Sequence, residues 1–108
     1  MTTVTKLNDY QALAATTAIY PRDKALEYLS LGLASEVGEL TGKLAKWYRK
    51  DGIYPREDIL DELGDCLWFI SEFARHHNRN LSDLAQNNLD KLASRQARGT
   101  LQGSGDNR

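Results

Sequence analysis

Two acidic pairs set inside apolar helical sequence constrain this chain more than any other feature. Glu36 and Glu39 lie three residues apart in the run from Leu31 to Trp47, and Glu62 and Asp65 repeat that spacing between Ile59 and Phe73. On a helix such residues are one turn apart, so each pair presents both carboxylates to one side. At 100° per residue, Leu26, Leu29, Leu33, Val37, Leu40, Leu44 and Trp47 cover an arc of about 80°, and Glu36 falls only about 20° outside it. Glu39 lies further round on the same flank. In the second segment Ile59, Leu63, Cys66, Leu67, Ile70 and Phe73 form the stripe, with Glu62, Asp65 and Phe69 along one border. The four acids are therefore expected at the margin of a core, where like charges are unfavourable unless cations or donors offset them.

The two pairs are also expected to meet. A first helix ending at Lys50, a turn through Asp51 to Tyr54 and a second helix entered at Pro55 form an antiparallel hairpin. In it the pairs are misaligned by only about 6 Å, which a short loop absorbs. Glu39 then faces Glu62, and Glu36 faces Asp65. A cluster of hard oxygen ligands suits Mg²⁺ or Mn²⁺. Either pair alone is better explained as a solvated charged flank; two pairs at matching heights, together with donors further down the chain, reverse that reading.

The rest of the chain reads as helix. Leu7 to Ile19 is Ala-rich, with Thr5 or Asn8 as a cap, and stops at Tyr20-Pro21. Lys24 to Lys50 is the longest pattern, and Gly32, Gly38 and Gly42 inside it suggest close helix contact or a kink. Pro55 to His77 follows, then Leu81 to Arg98 with Asn80 or Ser82 as its cap. Residues 1–98 form one all-α domain, a four-helix bundle, and residues 99–108, GTLQGSGDNR, a non-helical Gly-rich polar tail. Leu31, Ala34 and Ala45 lie off the main stripe of the long helix, which implies a second partner and subunit association.

Composition narrows the function. The 108 residues are 27% charged with a net charge of −1 and a pI near 6.1, so no basic surface for nucleic acid is expected. No apolar run approaches membrane-spanning length and the N-terminal residues lack a signal peptide's apolar region, so the expected location is the cytoplasm. The single Cys66 sits in an apolar run and is expected in the core. His76 and His77 are adjacent, point about 100° apart, and cannot chelate together.

ASEVGEL (Ala34 to Leu40) and DELGDCLWFI (Asp61 to Ile70) resemble the ExxE and ExxD blocks of the MazG-like, all-α nucleoside triphosphate pyrophosphohydrolases. The similarity runs from LNDYQ near the start to NLDKLASR and the closing GTLQGSGDNR. One departure is Ser35, where the fuller family pattern often carries a further glutamate. The resemblance implies a MazG-like bundle whose subunits associate as homodimers or homotetramers, with sites near subunit boundaries. It implies hydrolysis of a (deoxy)nucleoside triphosphate to the monophosphate and pyrophosphate, with Mg²⁺, or Mn²⁺ in its place, held by Glu36, Glu39, Glu62 and Asp65.

A triphosphate brings about four negative charges to about four carboxylates, so two or three divalent ions would have to bridge them. One carboxylate, Glu39 being a candidate, would accept a proton from the attacking water. Asn88, Lys91 and Arg95 follow one helical face and match the family's downstream positions, which makes them candidates for phosphate contact. Lys43 and Lys46 on the second helix, Arg98, and a tail closing through Asp106, Asn107 and Arg108 are further candidates. Trp47, Trp68 and Tyr10 are alternative platforms for the base. Competing readings are a non-catalytic helical interaction bundle and a phosphoribosyl-ATP pyrophosphatase-like enzyme. Base and sugar preference is not legible.

Overall fold

Proline and glycine divide the chain, because one lacks an amide proton and the other tolerates positive φ. The computed structural model describes residues 3–49 and 52–108. Its helices are α1 (Leu7–Ala15), α2 (Ala25–Tyr48), α3 (Arg56–His76) and α4 (Leu81–Ala97), with a short 3₁₀ turn at Arg22–Lys24 leading into α2. There is no strand among the described residues, and the all-α four-helix reading holds. No helix is long and apolar enough to cross a membrane. Gly52, at φ 94°, follows α2 as a stop signal should. Lys50 and Asp51, expected at the helix end and turn, lie outside the described residues.

Helix α1 is shorter than the expected Leu7 to Ile19. The Thr16 and Thr17 hydroxyls donate to the Leu13 and Ala14 carbonyls at 2.6 and 2.7 Å, and both backbone amides turn to i−3 carbonyls. Hydroxyls that compete for the helix's own acceptors end it there, leaving Ile19 exposed. Nor does Asn8 cap its own helix. Its side chain accepts the Ser82 amide at 3.0 Å and donates to Ser82 Oγ at 2.9 Å, so it caps α4 instead. Buried Gln11 completes the joint: its Oε1 accepts the Leu81 amide at 3.0 Å and its Nε2 donates to the Arg79 carbonyl at 3.0 Å. The two amides satisfy N–H groups that a helix start leaves without partners.

Helices α2 and α3 form the antiparallel hairpin that carries the acids, and α1 packs against α3 and α4. No contact joins α2 to α4 among the described residues. The α3 core face is not the expected stripe. Glu62, Cys66 and Phe69 are buried with Ile59, while Leu63, Leu67 and Ile70 are substantially exposed, Leu63 at 47%. The packed face is turned by about 60° from the apolar one. Periodicity registers every face kept from water, whichever chain covers it, and here the helix's own neighbours cover only part. On α2, likewise, Leu29 is fully buried but Leu26 and Val37 are exposed.

Of the three glycines expected at a close contact, only Gly32 makes one. A Cβ there would overlap the Phe69 ring, whereas Gly38 and Gly42 have no such neighbour within 4 Å. Gly32→Ala is therefore expected to destabilise the protein by about 2 kcal/mol, the overpacking outweighing the gain in helix propensity. Gly42→Ala should be neutral or stabilising by up to about 1 kcal/mol. Urea unfolding of both variants checks the contrast.

Candidate functional site

The antiparallel pairing of α2 with α3 brings the acids together. One carboxylate oxygen from each of Glu36, Glu62 and Asp65 lies within 4.8 Å of the others. Glu39 is outside this tight set, yet near enough to raise the pKa of Glu36 and lower that of Glu62. The expected facing of Glu39 with Glu62 and Glu36 with Asp65 is thus too simple. Glu62 is the hub: it is 7% exposed and meets Glu36, Glu39 and Lys43.

Charge balance at the hub is uneven. Lys43 Nζ lies 2.8 Å from Glu62 Oε1, while Glu62 Oε2 and Glu36 Oε2 are buried atoms with no hydrogen-bond partner. With both carboxyls ionised, neither oxygen can donate to the other. A proton on Glu36 supplies the missing donor, and that hydrogen bond to Glu62, with burial and the charges of Glu39, Asp65 and Glu62, pushes the Glu36 carboxyl up to about 7. Glu62 moves the other way, because the Lys43 ammonium and then Glu36 hydrogen-bond its charged form. Orphaned buried carboxylate oxygens of this kind are what a divalent cation satisfies, and an all-oxygen donor set fits a hard ion. Cys66, behind the acids, is buried; burial and the charges of Glu36, Glu62 and Asp65 push its thiol up, which disqualifies it as a nucleophile.

Glu36 and Asp65 also stand at the edge of an open cleft of about 440 Å³ lined by Thr17, Ile19, Tyr28, Trp68 and Phe69. Trp68 Nε1 donates to Thr17 Oγ1 at 2.8 Å and packs edge-on to Phe69, which fixes the indole plane. The three aromatic candidates therefore separate. Trp68 lines the cleft, Tyr10 is close enough to Asp65 for that charge to help burial raise its phenol pKa, and Trp47 packs with Tyr48 and Tyr54 at the far end of α2. Tyr28 was not singled out in the sequence, and Phe69 was read only as a border residue of the α3 stripe, because aromatic spacing alone does not distinguish a cleft wall from packing.

The α4 candidates occupy a different place. Asn88 and Lys91 line a larger cleft of about 730 Å³ with Arg79, Asp83, Leu84 and Asn87, and no acid of the cluster borders it. Lys91 Nζ and Arg95 Nη2 both lie 3.2 Å from Asp106 Oδ1, and those two cations hold the Asp106 carboxyl below its usual range. Arg95 is buried beneath the tail, and Arg98 donates to the Arg108 carbonyl at 2.8 Å. Arg108 in turn donates to the carbonyls of Thr100, Leu101 and Gly105. The tail, non-helical, is fastened to α4 and its C-cap Arg98, and none of these hydrogen bonds or ion pairs reaches the acidic hub.

A protein-family model described as the MazG nucleotide pyrophosphohydrolase domain matches residues 24–99. That span takes in α2, α3 and α4 and all four acids. The chain is also similar to the Gene 37 protein of Mycobacterium phage L5, at 43% identity over 109 residues covering 92% of this chain and 96% of that relative. No solved structure matches significantly.

Proposed function

The chain belongs to the MazG nucleotide pyrophosphohydrolase family, and from that premise we propose that it hydrolyses (deoxy)nucleoside triphosphates to monophosphate and pyrophosphate with Mg²⁺, Mn²⁺ serving in its place. The observation that carries this reading is the convergence of Glu36, Glu62 and Asp65 within 4.8 Å, with buried carboxylate oxygens on Glu36 and Glu62 left without partners. These three and Glu39 are the residues that would hold the metal. Bound divalent ions supply neutralisation of the triphosphate, polarisation of phosphoryl oxygens and a lowered pKa for nearby water.

The chain's own groups have three tasks in this reading. The cleft beside Glu36 and Asp65 seats the nucleoside, with the base against Trp68. Water adds to the α-phosphorus as the bond to the bridging oxygen of pyrophosphate breaks, and Glu39, an exposed acid outside the tight set of three, takes the water's proton. Cations answer the remaining phosphate charge, Lys43 from α2, Lys91 and Arg95 from α4 and Arg98 just beyond its end, and the Asn88 side-chain amide adds a neutral donor.

In this reading the α4 groups meet the acids across a subunit boundary, since the cleft that holds Asn88 and Lys91 is bordered by none of the acids. The chain has a radius of gyration of 16.7 Å, against about 13 Å for a compact chain of this length. Leu60, Leu63, Leu67 and Ile70 of α3 and Leu84, Leu89 and Leu92 of α4 are exposed. The exposed faces and the large radius of gyration support a homodimer or homotetramer in which a second copy covers these helices and shares the active site.

The test is product analysis. A panel of canonical and modified triphosphates with Mg²⁺ should give pyrophosphate and monophosphate in equal amounts, and none with EDTA. Release of single phosphates, or no metal-dependent release across the panel, would reject the reading in favour of another hydrolase or a non-catalytic bundle.

A further inference from the structure

We propose that Lys43 is the built-in counter-ion of the acidic hub, holding Glu62 while no divalent cation is present and becoming available to polyphosphate when one enters. The proposal rests on the metal-site reading above and concerns what occupies that site beforehand. Lys43 follows Glu36 by seven residues and Glu39 by four, so the helix projects all three toward α3. Its Nζ is 2.8 Å from Glu62 Oε1, and no other hydrogen bond engages it among the described residues.

The two oxygens of Glu62 are therefore in opposite conditions. One is neutralised by the ammonium, and the other is buried against Glu36 with no cation beside it. The carboxylate side chain is 9% exposed, whereas that of Lys43 is 37% exposed. Glu62 is thus the fixed member, and Lys43, on a flexible four-carbon stem, is the one that can leave. A dication brings twice the charge of an ammonium and can meet several oxygens together, so it outcompetes Lys43 at the hub. Lys43 would then lie beside newly neutralised carboxylates, with its charge free for an anion. An arginine in its place keeps the charge but prefers a planar, two-pronged grip on the carboxylate, which makes it harder to displace.

Metal binding without nucleotide tests this directly. Mn²⁺ titrations of the full chain, followed by the loss of the free-ion electron paramagnetic resonance signal, would compare wild type with Lys43→Met, Lys43→Arg and Glu62→Gln. Lys43→Met should bind Mn²⁺ about three- to tenfold more tightly than wild type, the range expected from removing a partly exposed competing ion pair. Lys43→Arg should bind no more tightly than wild type. At saturating metal, Lys43→Met should raise KM for the triphosphate more than it lowers kcat. Unchanged or weaker Mn²⁺ affinity in Lys43→Met, with binding lost in Glu62→Gln, would overturn the counter-ion role and leave the metal site standing. Absence of Mn²⁺ binding in wild type and Lys43→Met alike would overturn both.

Discussion

Glu36→Gln is expected to lower kcat/KM for triphosphate hydrolysis about a thousandfold while leaving the helices intact. Gln keeps the volume and one acceptor oxygen but removes the charge that a hard dication selects, and loss of several kcal/mol of transition-state charge stabilisation corresponds to that factor. The change should also stabilise the metal-free protein around neutrality. The folded pKa of Glu36 stands at about 7, above its ordinary value of 4.5, since it lies among Glu62, Glu39 and Asp65. A group raised in this way contributes its full stability below about pH 4.5 and loses it as pH climbs through about 7. Glu62 and Glu72 are shifted downward, so their contributions change at lower pH.

Thermal melts in EDTA should therefore show wild type losing stability relative to Glu36→Gln between about pH 4.5 and 7. Excess Mg²⁺ should reverse the order at pH 7.5, because only wild type keeps the full ligand set. The same protonation predicts that Mg²⁺ affinity falls as pH drops through about 7, with about three-quarters of a proton released per binding event at pH 6.5. Equal activity in the two proteins would end the metal-site assignment. Parallel melts from pH 4.5 to 7.5 would show that Glu36 is not the proton-sharing acid.

How much of this was legible in the sequence depends on which physical signal carried it. The i, i+3 spacing and the turn at Gly52 were enough to place Glu36, Glu62 and Asp65 together, because helix geometry converts spacing into height and side. The face of α3 was misread because hydrophobic periodicity does not say who covers a stripe. Leu63 and Leu67 look like core, Glu62 looks like border, and the chain's own packing reverses them. Joints made by polar side chains were invisible for another reason. Gln11 and Asn8 reach residues more than 60 positions away, and no local pattern predicts a helix capped by another helix. Asp106 on Lys91 and Arg95 belongs to the same class, a polar contact created only by how the tail turns back.

Glu72 is the sharpest case of a residue with no local signal to single it out, and Glu72→Ala should lower stability by about 3 kcal/mol. The side chain is completely buried, yet it carries a charge, which is tolerable only because every oxygen is engaged. Tyr20 donates its hydroxyl to Oε1 at 2.6 Å, and Arg75 grips the carboxylate through Nε and Nη2, each at 2.8 Å. Burial alone would raise the pKa of Glu72, but the Arg75 and Tyr20 hydrogen bonds outweigh it and hold the carboxyl below its usual range. That sign means the network's contribution is complete above the ordinary glutamate range and disappears as pH falls through the depressed value.

Removing one partner of a buried pair typically costs about 3–5 kcal/mol, and the lower end applies because the Arg75 side chain, 28% exposed, can turn to water once released. Tyr20 connects the network to the cleft, since its ring stacks on Tyr28 at 4.8 Å and stands edge-on to Trp68 at 6.3 Å. Urea unfolding at fixed protein concentration should thus rank Glu72→Ala well below Glu72→Gln, which keeps acceptors for Tyr20. A double-mutant cycle of Glu72→Gln with Tyr20→Phe should show a coupling of about 1 kcal/mol. Tyr20→Phe alone should loosen Trp68 and raise KM for the triphosphate with little change in kcat. A Glu72→Ala protein that unfolds within 0.5 kcal/mol of wild type, about the spread of ordinary surface substitutions, would mean that this buried carboxylate does not hold α3 to the segment preceding α2.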